Sequence, residues 1–278
     1  MKFITILLMA VILCFSLQAQ QPDSKKYGLK GNVKSLSESG NSRHPNRAGG
    51  GFSAWAKSAI EKTVFDKTGR SVEYQKSDTT GALYYKIKYI YNIKDRNAQV
   101  QYFDKNDQPS SKEQWIYNDK NQKTEEQRLS KEGVLNYRYT YTYDGAGNMV
   151  MKTSYMGDGR MVDKTAYTYD TKKNVISETD EGTGGIQSIH KYSYDDKGNR
   201  TGDIRYNAKN EIEYRWVYVY DAQGNMTQLS QYKSDSDIEW STGAWKYVYD
   251  KQNNWIKRTS LDPDGNELSI TERVITYY

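Results

Sequence analysis

Cysteine occurs once in 278 residues and histidine twice. These two shortages remove most metal-binding and nucleophilic chemistry at the outset. Proline stands at 4, which excludes collagen-like and proline-rich chains. Past the N-terminus there is no long apolar run, and a mean hydropathy of −0.95 is too polar for a helical membrane protein. Neither charge sign dominates. Lys and Arg total 40 against 35 Asp and Glu, interleaved along the chain, which reads as a solvated surface rather than a nucleic-acid stripe. Gly49-Gly50-Gly51 lacks the Lys-Ser/Thr that a phosphate loop requires. What is abundant is tyrosine: 26 residues, against 5 Phe and 6 Trp. That aromatic content is too high for a disordered chain.

The N-terminus has the pattern of an export signal. Met1-Lys2 is a short positive start, and Phe3 to Leu17 is apolar apart from Thr5 and Ser16. The run is too short to span a bilayer comfortably, and we expect cleavage after Ala19. Leu13 precedes Cys14, and a bulky residue there argues against lipidation. Cys14 then leaves with the signal, and the mature chain has no thiol and no disulfide. Only Lys2 is lost from the charged set, so the mature net charge is +4. Residues 20–27 read as a short linker and 28–278 as a single repeat domain, with an exposed loop at about 40–54 rich in Asn, Pro and Gly.

Self-similarity is the decisive feature. Tyr141-Thr142-Tyr143-Asp144, Tyr167-Thr168-Tyr169-Asp170, Tyr192-Ser193-Tyr194-Asp195, Tyr218-Val219-Tyr220-Asp221 and Tyr247-Val248-Tyr249-Asp250 repeat one phrase. Tyr89-Ile90-Tyr91-Asn92 is a further copy, and weaker ones, Val64-Phe65-Asp66 and Trp115-Ile116-Tyr117-Asn118, place the acid or amide at Asp66 and Asn118, so that successive steps are 26, 26, 26, 26, 25, 26 and 29. A fainter turn follows twelve residues after several of these, as at Asp78 to Gly81, Ser130 to Gly133 and Asp262 to Gly265. The chain therefore turns about every 13 residues, the spacing of hairpins in an antiparallel meander.

The turn chemistry agrees. Asp144, Asp195 and Asp221 each begin Asp-x-x-Gly-Asn. The Asp can accept the backbone N–H two residues on, and the Gly can take positive φ, closing a type I turn with a G1 bulge. Asn121, Asn253 and Asp95 hold the Gly position elsewhere and tolerate that conformation; Lys173 fits it poorly. Pairing Asp144 with Asn148 predicts Tyr143 opposite Met149, Tyr137 opposite Tyr155, and Tyr155 opposite Met161. One face then carries Tyr89, Tyr91, Tyr214, Trp216, Tyr218 and their equivalents. The other carries Arg138, Thr140, Thr142, Lys152 and Glu213. Lys123, Glu125 and Gln127 resist this register.

The expected fold is all-β: an antiparallel meander of about 18 strands in 26-residue hairpin repeats. At about 4.8 Å per strand it would be roughly 85 Å wide if flat. Twist accumulates strand by strand, so a twisted or coiled open sheet is expected, with tyrosines on its concave side.

At its Tyr-x-Tyr-Asp-x-x-Gly-Asn units, over about residues 60–278, the chain resembles the YD-repeat, or Rhs-type, proteins of bacterial surfaces and toxins. Gly28 to Leu36 looks like the start of small exported repeat proteins of Bacteroidetes-type bacteria. The resemblance implies a β-sheet shell, which in some relatives encloses a toxic C-terminal domain. This chain stops at Tyr277-Tyr278, at the end of a strand, so a member without a toxin domain is expected. Asp262-Pro263-Asp264-Gly265 superficially looks like the self-cleavage region of such shells, but falls at an ordinary turn of the repeat.

Catalysis finds little support. His44 lies in the polar loop, and His190 takes the slot that Tyr139 and Trp216 fill in other repeats, where packing is the simpler role. No turn alternates Asp and Asn up to a bidentate Glu, so the acids read as turn caps rather than Ca²⁺ ligands. No cofactor, metal or catalytic residue is expected. The aromatic face is either core or a partly open groove; in the second case Tyr141, Trp216, Tyr218 and Trp245 would form a ligand platform. The function expected is an exported, non-enzymatic module of the cell envelope or surface that binds glycan or protein, with self-association through a free edge strand as a second route. The alternative is a structural or assembly component with no small ligand, or a remnant of an Rhs-type shell.

Overall fold

The computed structural model describes residues 23–44, 51–92, 97–234 and 239–278. The signal sequence, its cleavage point and Asp95 lie outside the described residues. One short helix, α1 (Asp23–Lys26), precedes an all-β chain. The first strands are β1 (Val33–Ser42), β2 (Ala56–Lys57), β3 (Ile60–Phe65), β4 (Ser71–Ser77), β5 (Leu83–Tyr91) and β6 (Asn97–Phe103). Then come β7 (Pro109–Tyr117), β8 (Lys123–Ser130), β9 (Leu135–Tyr143), β10 (Met149–Met156), β11 (Met161–Tyr169) and β12 (Val175–Gly182). The last are β13 (Gly185–Tyr194), β14 (Arg200–Asn207), β15 (Ile212–Tyr220), β16 (Met226–Lys233), β17 (Glu239–Tyr249), β18 (Trp255–Leu261) and β19 (Glu267–Tyr277). Gly40 to Ser42, expected in the loop, extend β1 and pair with Thr271, Ile270 and Ser269.

The expectation of an open, coiled sheet is wrong. β19 pairs with β18 on one side and with β1 on the other, and β1 pairs in turn with β3. All 19 strands belong to one sheet that closes into an 18-strand β-barrel, the two-residue β2 being a short lead-in to β3. Closure satisfies the N–H and C=O groups that an open sheet leaves bare at its edges. It also removes the free edge on which strand-mediated self-association would depend.

Contacts divide the chain into two compact units. The first comprises Ala19–Thr142, Lys152–Asp163 and Ala244–Tyr278; the second comprises Tyr143–Met151 and Lys164–Gly243. The first unit holds the buried apolar cluster Leu29, Val33, Leu36 and Phe65, against which Ile275 and Tyr277 pack.

The turns form as their sequence dictates, with additions. In the Asp144 turn the carboxylate accepts the Asn148 N–H at 2.8 Å and the Asn148 side-chain amide at 2.9 Å. Asp170 with Asn174 and Asp195 with Asn199 repeat both bonds. This explains the Asn that closes the motif. Gly147, Gly198 and Gly224 have φ of 85°, 84° and 86°, and Asn121 and Asn253 take the same region. Lys173 does too, at φ 68°, against expectation. The fixed turn geometry outweighs the modest cost of a non-glycine residue there.

These turns set an acid limit. The Asn side-chain bonds are the leading cause holding the Asp144, Asp170 and Asp195 carboxyls below their ordinary value of 3.8. A carboxyl depressed in the fold stabilises it above the unfolded pKa, and that contribution is lost as pH falls through the folded value. The melting temperature should therefore fall once the pH drops below about 4. Asn199→Ala should move that fall to higher pH; an unchanged acid limb would rule out this origin.

Register brings the second correction. Among the described residues, hairpin after hairpin slips by one residue just past its turn. Tyr220 pairs with Met226, but Val219 pairs with Gln228 and Tyr218 with Leu229. The same slip separates Tyr117–Lys123 from Ile116–Glu125, and Tyr249–Trp255 from Val248–Lys257. A β-bulge inserts one residue and reverses the parity of everything beyond it. The Gly157 N–H donates to the Asn136 carbonyl at 2.8 Å, which puts Tyr137 opposite Met156 rather than Tyr155. Tyr155 accordingly leaves the tyrosine face and lies beneath the Arg138 guanidinium, 4.6 Å from its ring centre. Lys152 joins the tyrosine face, its ammonium 4.8 Å from the Tyr139 ring centre. The misfit of Glu125 and Gln127 has the same cause: past the bulge the residues of β8 on the tyrosine face are Glu126 and Arg128, opposite Tyr139 and Tyr137, while Lys123, ahead of it and opposite Tyr117, stays on that face as expected.

The tyrosine next to the turn Asp has a structural job. Tyr91 donates its hydroxyl to the Ser71 carbonyl, Tyr169 to Met149, Tyr194 to Val175 and Tyr220 to Arg200, at 2.6–2.8 Å. Each acceptor opens the strand that follows the previous repeat's turn, where the bulge interrupts the ladder. Tyr220→Phe keeps the ring and strands the Arg200 carbonyl. It should cost about 1–2 kcal/mol in urea unfolding, and a loss within error of zero would refute the role.

Candidate functional site

Side chains of the tyrosine face can be placed by counting from the turn Asp or Asn. Three residues before it stands an aromatic ring, five before a variable residue, and eight after, past the bulge, another variable residue that the ring can reach. In the first unit the residue at plus eight from Asn118 is Glu126. It accepts the Tyr141 hydroxyl at 3.0 Å and the Lys123 ammonium at 2.9 Å. That ammonium lies 4.6 Å from the Trp115 ring centre and 4.5 Å from that of Tyr141. Arg128 reaches Glu113 at 3.0 Å and Glu126 at 3.4 Å. Burial would raise the Glu126 carboxyl, but Lys123 and the hydrogen bonds bring it below its ordinary value. This is a compensated network, and its cations and anions neutralise one another.

The second unit repeats the geometry with a different outcome. Glu178, at plus eight from Asp170, pairs across the sheet with His190. It accepts the Tyr192 hydroxyl at 3.1 Å. The position that held Lys123 is now Val175, which is buried. Burial, and next the charge of Asp180, push the Glu178 carboxyl above its ordinary value. Asp180 accepts the Thr165 hydroxyl at 2.9 Å and the Ser188 hydroxyl at 3.0 Å.

Asp203, at plus eight from Asp195, pairs with Tyr192 on one side and Trp216 on the other. Its carboxylate lies 2.9 Å from His190 Nδ1 and 3.9 Å from an Arg200 nitrogen. The His190 ring stacks on Tyr192 at 6.0 Å and 27°, and on Trp216 at 6.4 Å and 18°. Arg200 covers Tyr192 at 4.0 Å. Burial, and next the Asp203 charge, hold the Tyr218 hydroxyl above its ordinary range. The rings of Tyr192, His190 and Trp216, the carboxylates of Glu178 and Asp203 and the Arg200 guanidinium thus share one face of four adjacent strands.

The expected platform is only partly assembled. Trp216 and Tyr218 sit on β15 within this cluster, but Trp216 is only 8% exposed and packs between His190 and Tyr214. Tyr141 belongs to the first unit's ion-pair network. Trp245 is half-buried on β17, opposite Ser260. His190, read as a packing residue, is the centre of the second cluster. Glu178 and Asp203 were not anticipated at all. The signal for them, an acid at plus eight in three repeats, shows only when the bulge is counted. Ser188 bonds Asp180, while His190 bonds Asp203, so the two do not form a Ser-His-Asp array. Among the described residues no group of three or more His, Cys, Asp or Glu could hold a metal ion.

No known family profile matches the chain, so the YD-repeat resemblance rests on its motif. No curated protein matches it either. Solved structures do. A porin-like protein from Bacteroides uniformis is 11% identical, with a TM-score of 0.45 over 89% of this chain and 99% of its own. A second porin-like protein, from Bacteroides vulgatus, is 11% identical, with a TM-score of 0.37 over 88% of this chain and 98% of its own. The toxin assembly TcdB2-TccC3-Cdc42 is 13% identical, with a TM-score of 0.40 over 87% of this chain; the matched part is 14% of that chain. The chain is thus similar, at low identity, to porin-like proteins of Bacteroides and to a small part of a toxin assembly.

Proposed function

We propose that this is an exported, non-enzymatic β-barrel protein of the cell envelope that binds a glycan on the tyrosine face of its second unit. The observation that carries this reading is the pair of half-buried rings Tyr192 and His190 beside Glu178 and Arg200, held from behind by the buried Trp216 and Asp203. Aromatic rings offer flat apolar surface to the C–H face of a pyranose, while carboxylates and Arg200 accept from and donate to its hydroxyls.

The opposite face speaks against a membrane-spanning role. Lys88, Lys112 and Arg138 in the first unit, and Lys191 and Arg215 in the second, point away from the tyrosines in mid-strand. A basic residue facing lipid at mid-depth costs about 2–4 kcal/mol.

The test is titration with a broad panel of bacterial and host polysaccharides, read by tryptophan fluorescence and calorimetry. We expect saturable binding to at least one glycan, weakened at least tenfold by Glu178→Gln and by Tyr192→Ala. Silence across the panel would overturn the reading. It would leave the scaffold alternative, which the tyrosine hydroxyls tied to backbone carbonyls favour.

A further inference from the structure

The chain has 26 tyrosines, and its single cysteine allows no intrachain disulfide. Any covalent reinforcement between strands must use other side chains. One tyrosine pair has the geometry for it. Tyr85 pairs across the sheet with Lys76, and Tyr74 pairs with Ile87, so the two tyrosines are diagonal neighbours on one face of the β4–β5 hairpin. Their ring centres are 5.9 Å apart and the planes tilted by 35°. Burial first, and next the neighbouring Tyr85 and Glu61 side chains, push the Tyr74 hydroxyl above its ordinary range. Glu61 is itself held by the Lys76 ammonium at 2.8 Å. Tyr85 is 38% exposed, open to a diffusing oxidant or to an oxidising enzyme's surface.

We propose that Tyr74 and Tyr85 form an oxidative modification site that couples to a dityrosine cross-link under peroxide and a haem peroxidase. Each phenol gives up one electron to the peroxidase and one proton to solvent. The two phenoxyl radicals join by one new carbon–carbon bond between ortho positions. The two ortho hydrogens then move to the oxygens, restoring both phenols. The protein loses two hydrogens in all, and one hydrogen peroxide is reduced to two waters. The cross-link ties β4 to β5 by a bond that reductants do not open.

The experiment treats the folded full-length protein with horseradish peroxidase and hydrogen peroxide at low protein concentration. Peptide mapping and dityrosine fluorescence follow. A cross-linked peptide pair joining Tyr74 to Tyr85, two hydrogens lighter than its parts and formed within a monomer, is expected. Tyr85→Phe should abolish that peptide and leave the melting curve of the untreated protein unchanged. The proposal fails if no such peptide forms, or if the urea-unfolded chain gives it in equal yield.

Discussion

Replacing Asn254 with alanine should lower stability by about 2–3 kcal/mol, among the largest losses for one polar side chain in this protein. Asn254 is 1% exposed. Its side-chain oxygen accepts the Lys30 N–H at 2.7 Å, and its amide donates to the Lys30 carbonyl at 2.9 Å and to the Tyr277 hydroxyl at 2.8 Å. Tyr277 in turn donates to Asp250 at 2.6 Å. Alanine leaves both backbone groups of Lys30 without their partner and frees the Tyr277 hydroxyl. In the repeats at Asp144, Asp170 and Asp195 the equivalent Asn bonds its own turn Asp. Here that amide is redirected to the segment before β1 and to the last strand. Urea unfolding at constant slope measures the loss, and a value below about 1 kcal/mol would show that the seam does not depend on it.

Phe65→Ala should cost more, about 3–5 kcal/mol. Phe65 is 1% exposed among Leu29, Val33 and Leu36. Tyr27 meets its ring edge-on at 5.9 Å and 74°. Truncation removes the largest side chain of the apolar cluster and leaves a cavity that backbone hydrogen bonds on both flanks keep from collapsing. The Phe65 carbonyl, which accepts the Tyr278 hydroxyl at 2.6 Å, stays in place, so the loss reports packing alone. Val219→Ala is the control. At 46% exposed, on the face opposite the tyrosines, it should shift stability by less than about 0.5 kcal/mol. Equal effects at the two sites would mean that the cluster is not where the first unit's stability resides.

The turns were legible because their chemistry is local. An Asp that bonds the N–H groups two and four residues on, and a Gly or Asn at positive φ, act within five residues. The pairing beyond the turn was misread by one step, because a bulge leaves no unambiguous mark in composition. Glu125 and Gln127 were the trace of it, visible as an apolar pattern failing where the motif was otherwise intact. The acids at 126, 178 and 203 were hidden by the same one-residue error. His190 was placed on the correct face, but its partner Asp203 lies 13 residues away across a bulge.

Sequence alone determined that this chain is a run of antiparallel hairpins with tyrosine concentrated on one face, since side-chain alternation and turn geometry act between near neighbours. Only the tertiary structure decided that the last strand returns to the first, because the Glu38–Arg273 ion pair and the β1–β19 ladder join residues more than 200 positions apart. It also decided which acids have a cation. Glu126 and Glu178 are the same residue at the same repeat position, each with a different residue three places upstream, Lys123 in one and Val175 in the other; the bulge between Lys123 and Glu126 is what turns the ammonium onto the carboxylate's face.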